Sequence, residues 1–231
     1  MKEKVLFFGR KNCSDSEKAL LLLKDLKFKV TFIESSNRGE KIPKKGLNWK
    51  GDYIFCFRSL YILPREIIRN AKIAAINFHP GPPEYPGSGC VNFALFEDSK
   101  KYGVTAHLMN ENIDSGEILS CKRFPINKTD NLESLLGRTH KELFILFTSF
   151  ITSIERKGNE YMNELKNKNK KEKWSSKARK IKELNSLQII DININKKNLE
   201  RIIKATYTKQ FPPKIVLHGY EFLLSKPDKK K

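Results

Sequence analysis

The chain has 231 residues, with 45 Lys and Arg against 26 Asp and Glu, a formal net charge of +19. That length supports one main core with an appendage rather than two equal domains, and 39% hydrophobic residues exclude a disordered chain. The positive balance favours anionic partners such as nucleic acid, nucleotides or polyglutamates, and it is concentrated late: nine basic residues lie between 166 and 182 against Glu172 alone, and residues 229–231 are all Lys.

Residues 4–8, 53–57 and 72–78 are short apolar runs separated by segments of helical character, the rhythm of a βαβ sheet. Ser14, Asp15, Ser16 and Glu17 supply a helix start before residues 19–26, and residues 29–33 predict the second strand. Residues 64–70 read as a brief helix, and residues 72–78 (KIAAINF) as a strand buried on both faces. The Pro- and Gly-rich residues 80–89 form a loop, residues 90–100 a returning helix, and residues 104–109 and 117–124 two more strands. Leu132, Leu135, Leu136, Leu143, Phe144, Phe147 and Ile151 recur at three and four residues, predicting an amphipathic helix over 131–156 laid on the sheet. The Asn- and Lys-rich residues 163–173 read as a solvated linker, residues 198–207 as a small helix, and residues 214–224 as a hairpin turning at His218 and Gly219. The expected fold is α/β, a Rossmann-like, mostly parallel sheet flanked by helices, with a small C-terminal helix plus β-hairpin extension. Its expected units are a core over 1–157, a basic polar linker over 158–182 and the extension over 183–231.

Cys13, Cys56, Cys90 and Cys121 lie more than thirty residues apart, without the paired spacing of a zinc or redox motif. They suit a reducing cytoplasm. The apolar stretches at 5–8 and 143–154 fall short of the ~20 residues that span a bilayer. No metal or nicotinamide signature is present.

The chemistry concentrates at Asn77 and His79, at the carboxyl end of the 72–78 strand where α/β folds bind ligands, and at Asp114 thirty-five residues later. An amide, an imidazole and a carboxylate are the set needed to pass an acyl group to a nucleophile. An asparagine and a histidine there also serve as ordinary hydrogen-bonding caps; the turn Asp114-Ser115-Gly116 weighs against that reading.

The segments NFHPGPPEYPG (77–87), GVTAH (103–107) and IDSGEI (113–118) resemble the folate-dependent formyltransferases. That family has Asn-x-His-Pro, a proline-bearing loop closing on glycine, a Gly-x-Thr-x-His strand and an Asp-x-Gly turn, in this order. The resemblance covers about residues 4–156. It implies 10-formyltetrahydrofolate as formyl donor, no metal, and Asn77, His79 and Asp114 as the catalytic set. The residue chemistry agrees: an amide donor stabilises the oxyanion of a tetrahedral intermediate, a histidine moves protons near neutrality, and a carboxylate orients it, holds an imidazolium or relays through water. The resemblance also implies a folate slot made largely of backbone around Tyr61, Ile62, Leu63 and Pro64 and around Asn110, Glu111 and Asn112. Ile62 and Leu63 suit an apolar wall for a flat pterin, although core packing accounts for them equally. His107 is expected to point into the structure, and His140 and His218 lie in no motif.

The acceptor follows from the remaining chain. Methionyl-tRNA formyltransferases would explain the basic surface through phosphate contacts, but too few residues follow Arg156 for their C-terminal domain. The glycinamide ribonucleotide enzymes carry a glycine-rich first loop, where this chain has Gly9-Arg10-Lys11-Asn12-Cys13-Ser14. Formyltetrahydrofolate hydrolases carry a domain before the core, and this chain starts at the first strand. Residues 204–206, 211–214 and 215–224 are similar to the small C-terminal segment of the sugar N-formyltransferases. That resemblance implies a nucleotide-linked amino-dideoxy sugar as partner, dTDP-4-amino-4,6-dideoxyglucose in particular, for O-antigen or other surface polysaccharide, and a homodimer. Candidate substrate contacts are Arg10 and Lys11 for a diphosphate, Glu84 for an amine or sugar hydroxyl, and Phe211, with Tyr207, Tyr220 and Phe222, for a stacked base or a hairpin core. Residues 82–87 lack the basic residue the family usually carries before the glycine. Two alternatives stay open: methionyl-tRNA formylation, and a non-catalytic nucleic-acid-binding protein on this fold, whose affinity would fall steeply with salt.

Overall fold

The computed structural model describes residues 2–175 and 178–225. The lysines at 229–231 and residues 176–177 of the expected linker lie outside the described residues. Six strands form one sheet in the order β2-β1-β3-β4-β5-β6. They are β1 (Lys4–Arg10), β2 (Lys29–Ser35), β3 (Gly51–Phe57), β4 (Ala71–His79), β5 (Lys101–Leu108) and β6 (Ile118–Pro125). The first four run parallel, whereas β5 and β6 are antiparallel to their neighbours. The crossovers are α1 (Ser14–Asp25), α2 (Lys44–Leu47), α3 (Arg65–Ile68) and α4 (Cys90–Phe96).

Side-chain alternation divides the strands between two layers. Phe7, Phe55, Phe57, Ile76 and Phe78 face α5 (Leu132–Lys157), where Phe147 and Phe150 join them in one cluster. Phe147 sits 4.8 Å from the rings of both Phe57 and Phe78, and truncating such a buried ring costs about 3–5 kcal/mol. Asn131 caps α5 by accepting from Ser134 N–H, and Ser134 returns the bond in a capping box. Leu6, Phe8, Ile54, Cys56 and Ala75 face the other way, packing with Leu63 and Ile67. Asn77 and His79 share this second face by the same alternation, at the far end of β4.

The expected linker contains α6 (Asn159–Lys168). Met162 and Leu165 are buried there, and Tyr161 meets Phe150 edge-on at 5.6 Å. Three apolar side chains among lysines and asparagines show no periodicity worth a core helix until the sheet supplies the surface they bury against. An unexpected helix, α7 (Ile181–Leu187), runs from the end of the expected linker into the extension, which adds α8 (Lys196–Thr206), capped by Asn195. Asn92 on α4 donates to the Ala205 carbonyl at 2.7 Å, tying α8 to the core. The hairpin β7 (Lys214–Leu217) and β8 (Tyr220–Leu223) turns at His218 (φ 48) and Gly219 (φ 84), the two left-handed residues of a tight hairpin turn. Tyr220, Phe222 and Phe211 are exposed rather than packed as a hairpin core. Among the described residues no helix is long and apolar enough to cross a membrane, and the four cysteines are free.

Candidate active site

Register brings the motif residues together. Antiparallel pairing sets Asn77 opposite His107 and His79 opposite Thr105, so the Asn-x-His and Gly-x-Thr-x-His patterns are two facing rows of one surface. Thr105 and Tyr102 donate to the Gly81 and Pro80 carbonyls, each at 2.8 Å, fixing the start of the loop after β4. A Cβ at Gly81 would lie 2.6 Å from His79 Nε2, so that position leaves no room for a side chain beside the imidazole.

Asp114 enters from the turn between β5 and β6 in a left-handed conformation (φ 43). Asn110 Oδ1 shapes that turn by accepting from Asn112 N–H and from the Ser115 hydroxyl. Gly116 is confined against the Leu108 carbonyl, where any Cβ would collide. The Asp114 carboxylate lies 3.1 Å from His79 Nδ1 and 3.2 Å from His107 Nε2, and accepts from Gly87 N–H at 2.9 Å. Asn77 Nδ2 stands 3.1 Å from His107 Nε2 and 3.3 Å from Asp114 Oδ1. His107 Nδ1 donates to the Leu108 carbonyl.

His79 has an acceptor at each nitrogen: Asp114 at Nδ1 and the Tyr85 carbonyl, 3.0 Å away, at Nε2. With a hydrogen on both nitrogens the ring donates to each of these acceptors, an arrangement that favours the imidazolium. Burial alone would lower the pKa of His79, but the Asp114 charge, Cys90 and the Tyr85 carbonyl reverse it and raise it. Burial would likewise raise Asp114; the charge of His79, the contacts with His107 and the Gly87 N–H pull it below the usual carboxylate range instead. The result is a buried, hydrogen-bonded ion pair with an amide beside it.

The structure joins Asn77, His79 and Asp114 as expected from sequence and adds His107, whose interior position proves to be a contact with two of them. Trp174 was missed: its indole meets the His79 and His107 rings edge-on, and a lone tryptophan in a Lys-rich stretch gave no signal. Tyr61 and Leu63 lie on the same sheet face as Asn77, Leu63 buried and Tyr61 against Phe8, while Ile62 is exposed. Arg65 reaches Glu111 at 3.5 Å, so the 61–65 and 110–112 segments face one another. Asn110, Glu111 and Asn112 are exposed. Arg10, the last residue of β1, and Lys11 just after it are exposed, outside the cluster of Asn77, His79, His107 and Asp114. Burial, then the positive Arg58 and Arg10, pushes His140 down to about 4, marking an electropositive corner. Glu84 is held by Arg123, which Glu172 grips from the other side; it lines a hollow of about 170 Å³ with Tyr102 and Arg123. Phe211 is exposed before β7, in the extension. Among the described residues no cluster of His, Cys, Asp and Glu is arranged to hold a metal.

An amide and a buried imidazole at the carboxyl end of a strand, met by a buried carboxylate from a neighbouring turn, are the groups an acyl-transfer class of site uses. Comparison with known proteins narrows the class: the formyl transferase family matches residues 5–151. The chain belongs to that family. It is 24% identical over 188 residues to a GDP-perosamine N-formyltransferase of Brucella melitensis, covering 81% of this chain and 69% of that one. It is 35% identical over 130 residues to a methionyl-tRNA formyltransferase of Thermodesulfovibrio yellowstonii, covering 52% of this chain and 42% of that one. Its fold is shared with an N-formyltransferase of Helicobacter canadensis solved with folinic acid and dTDP-3-aminofucose, with TM-score 0.70 and 17% identity over 96% of this chain and 86% of the other.

Proposed function

We propose that this protein transfers the formyl group of 10-formyltetrahydrofolate to the amino group of a nucleotide-linked amino-dideoxy sugar, acting in the cytoplasm. The observation that carries the reading is the convergence of Asn77 on the buried pair His79 and Asp114. Asn77 offers an amide N–H to the oxyanion that forms when the amine attacks the formyl carbon. The His79 imidazolium gives its proton to N10 of the folate as the carbon–nitrogen bond breaks, and regains one from the newly bonded amine nitrogen, so protons balance. Asp114 keeps the imidazolium charged. The facing segments around Tyr61 to Leu63 and Asn110 to Asn112 are the proposed folate slot, and Arg10 and Lys11 the proposed diphosphate contacts.

The Brucella relative and the ligands of the Helicobacter structure support a sugar nucleotide. We take dTDP-4-amino-4,6-dideoxyglucose, a precursor for surface polysaccharide, as the first acceptor to test. The Thermodesulfovibrio relative favours methionyl-tRNA as a second reading. The test measures tetrahydrofolate release from 10-formyltetrahydrofolate with thymidine-, uridine- and guanosine-linked amino sugars, beside methionyl-tRNA. Turnover with a sugar nucleotide alone is expected; turnover with the tRNA alone would replace the acceptor.

The extension supports a homodimer. Tyr220, Phe222 and Leu223 are 73, 56 and 64% exposed on a two-stranded hairpin, an element marginal on its own and completed by further strands or packing. A second copy related by a two-fold axis would set the same exposed patch against itself. Phe222→Asp is expected to shift sedimentation from dimer to monomer; a wild-type chain already monomeric at micromolar concentration would sink the idea.

A further inference from the structure

A residue outside the stretch matched to the family packs on the buried part of the site. His79, His107 and Asp114 have side chains only 4, 3 and 7% exposed. The Trp174 indole packs edge-on against the two imidazoles, its ring centre 5.7 Å from that of His79 and 5.0 Å from that of His107, at interplanar angles of 74° and 84°. Edge-to-face packing of this kind is directional as well as apolar. The indole N–H is anchored to the Gly116 carbonyl at 2.7 Å, two residues beyond Asp114.

Its neighbours fasten the indole to the other catalytic loop. Ser175 donates its N–H to the Pro83 carbonyl at 3.1 Å and its hydroxyl to the Glu84 carbonyl at 3.0 Å. Arg179 N–H reaches the Pro86 carbonyl at 3.1 Å, and Ser88 N–H the Arg179 carbonyl at 2.9 Å. Gly87, at φ +90, is pressed so closely that a Cβ would lie 2.3 Å from the Arg179 oxygen. Gly87 is also the residue whose N–H binds Asp114. The Trp174 indole and the Asp114 carboxylate are therefore set by the same two loops.

We infer that Trp174 is a positioning residue that keeps water from the formyl carbon, so that the formyl group passes to an amine instead of being lost as formate. The inference rests on the formyl-transfer reading. Water and amine compete for one electrophile: attack by water breaks the same bond to N10, gives N10 a proton and releases formate. Water outnumbers any amine, so the partition depends on excluding it. A tryptophan that only filled space would, on removal, slow both outcomes together.

The test uses the full chain with Trp174→Ala and Trp174→Phe, measuring formate, tetrahydrofolate and formylated amine, with and without acceptor. In Trp174→Ala the ratio of formate to formylated product is expected to rise about tenfold or more, with acceptor-independent release of tetrahydrofolate. Phe keeps an apolar ring without the N–H and is expected to restore most of the coupling, which separates loss of cover from loss of folding. A wild type that formylates its acceptor, with an unchanged ratio in both variants, overturns this role alone. A formyl donor left intact by the wild type and every variant overturns the formyl-transfer reading and this role with it.

Discussion

Replacing His79 by alanine is expected to lower kcat for tetrahydrofolate release by about a hundredfold or more, the usual contribution of a positioned proton-transfer group. The ring is held between the Asp114 carboxylate and the Tyr85 carbonyl, so it is delivered charged and oriented before substrate arrives. Its loss removes both the proton for the departing N10 and a positive charge beside the tetrahedral intermediate. Asn77→Ala is expected to match it in size, because one oxyanion donor is worth about a hundredfold to a thousandfold in kcat. Both effects belong in kcat rather than KM, since these contacts strengthen only in the transition state. Full activity in either variant would refute the assignment.

Asp114→Asn is expected to move the pH profile as well as its height. Burial pushes the His79 pKa down, and the Asp114 charge is the leading influence that reverses it. In the wild type, loss of the His79 proton falls well above the ordinary imidazole range, leaving activity undiminished through pH 8. With the charge removed, burial dominates and the alkaline fall in kcat moves toward or below neutrality, alongside a drop of about a hundredfold. Stability follows the same signs. The raised His79 contributes below the unfolded imidazole value and is lost as pH rises through its folded value. The lowered Asp114 contributes above the unfolded carboxylate value and is lost as pH falls through its folded value. The variant's deficit in thermal stability should therefore be largest between about pH 4 and 6.5, where both contributions are complete. A melting-temperature deficit of equal size at pH 5 and pH 10.5, or an unshifted rate profile, would contradict the ion pair.

The local patterns were legible because each is short and repetitive. Residues 72–78 announce a buried strand, and the spacing from Leu132 to Ile151 announces the long helix, since one depends on continuous apolar character and the other on a 3.6-residue period. The turn at His218 and Gly219 follows from local backbone preference. Asn77, His79 and Asp114 stood out because their motifs lie in order along the chain. The α6 helix was not legible: Met162 and Leu165 become a buried stripe only against the sheet. Glu84 was a candidate contact for an amine because sequence places it in the reactive loop, yet Arg123, thirty-nine residues away on β6, takes up its carboxylate.

By itself, then, the sequence determined the strand and helix periods and the family motifs that carry Asn77, His79 and Asp114, since these depend on residues near one another in the chain. Only the tertiary structure decided that His79 sits between two acceptors, that His107 touches Asp114 and Asn77, and that Trp174 packs on the two imidazoles. Each depends on distances between separate segments, from the seven residues between His107 and Asp114 to the ninety-five between His79 and Trp174. Burial and hydrogen-bond partners set protonation and access, and both arise only when β4, β5, the Asp114 turn and the segment after α6 are packed together.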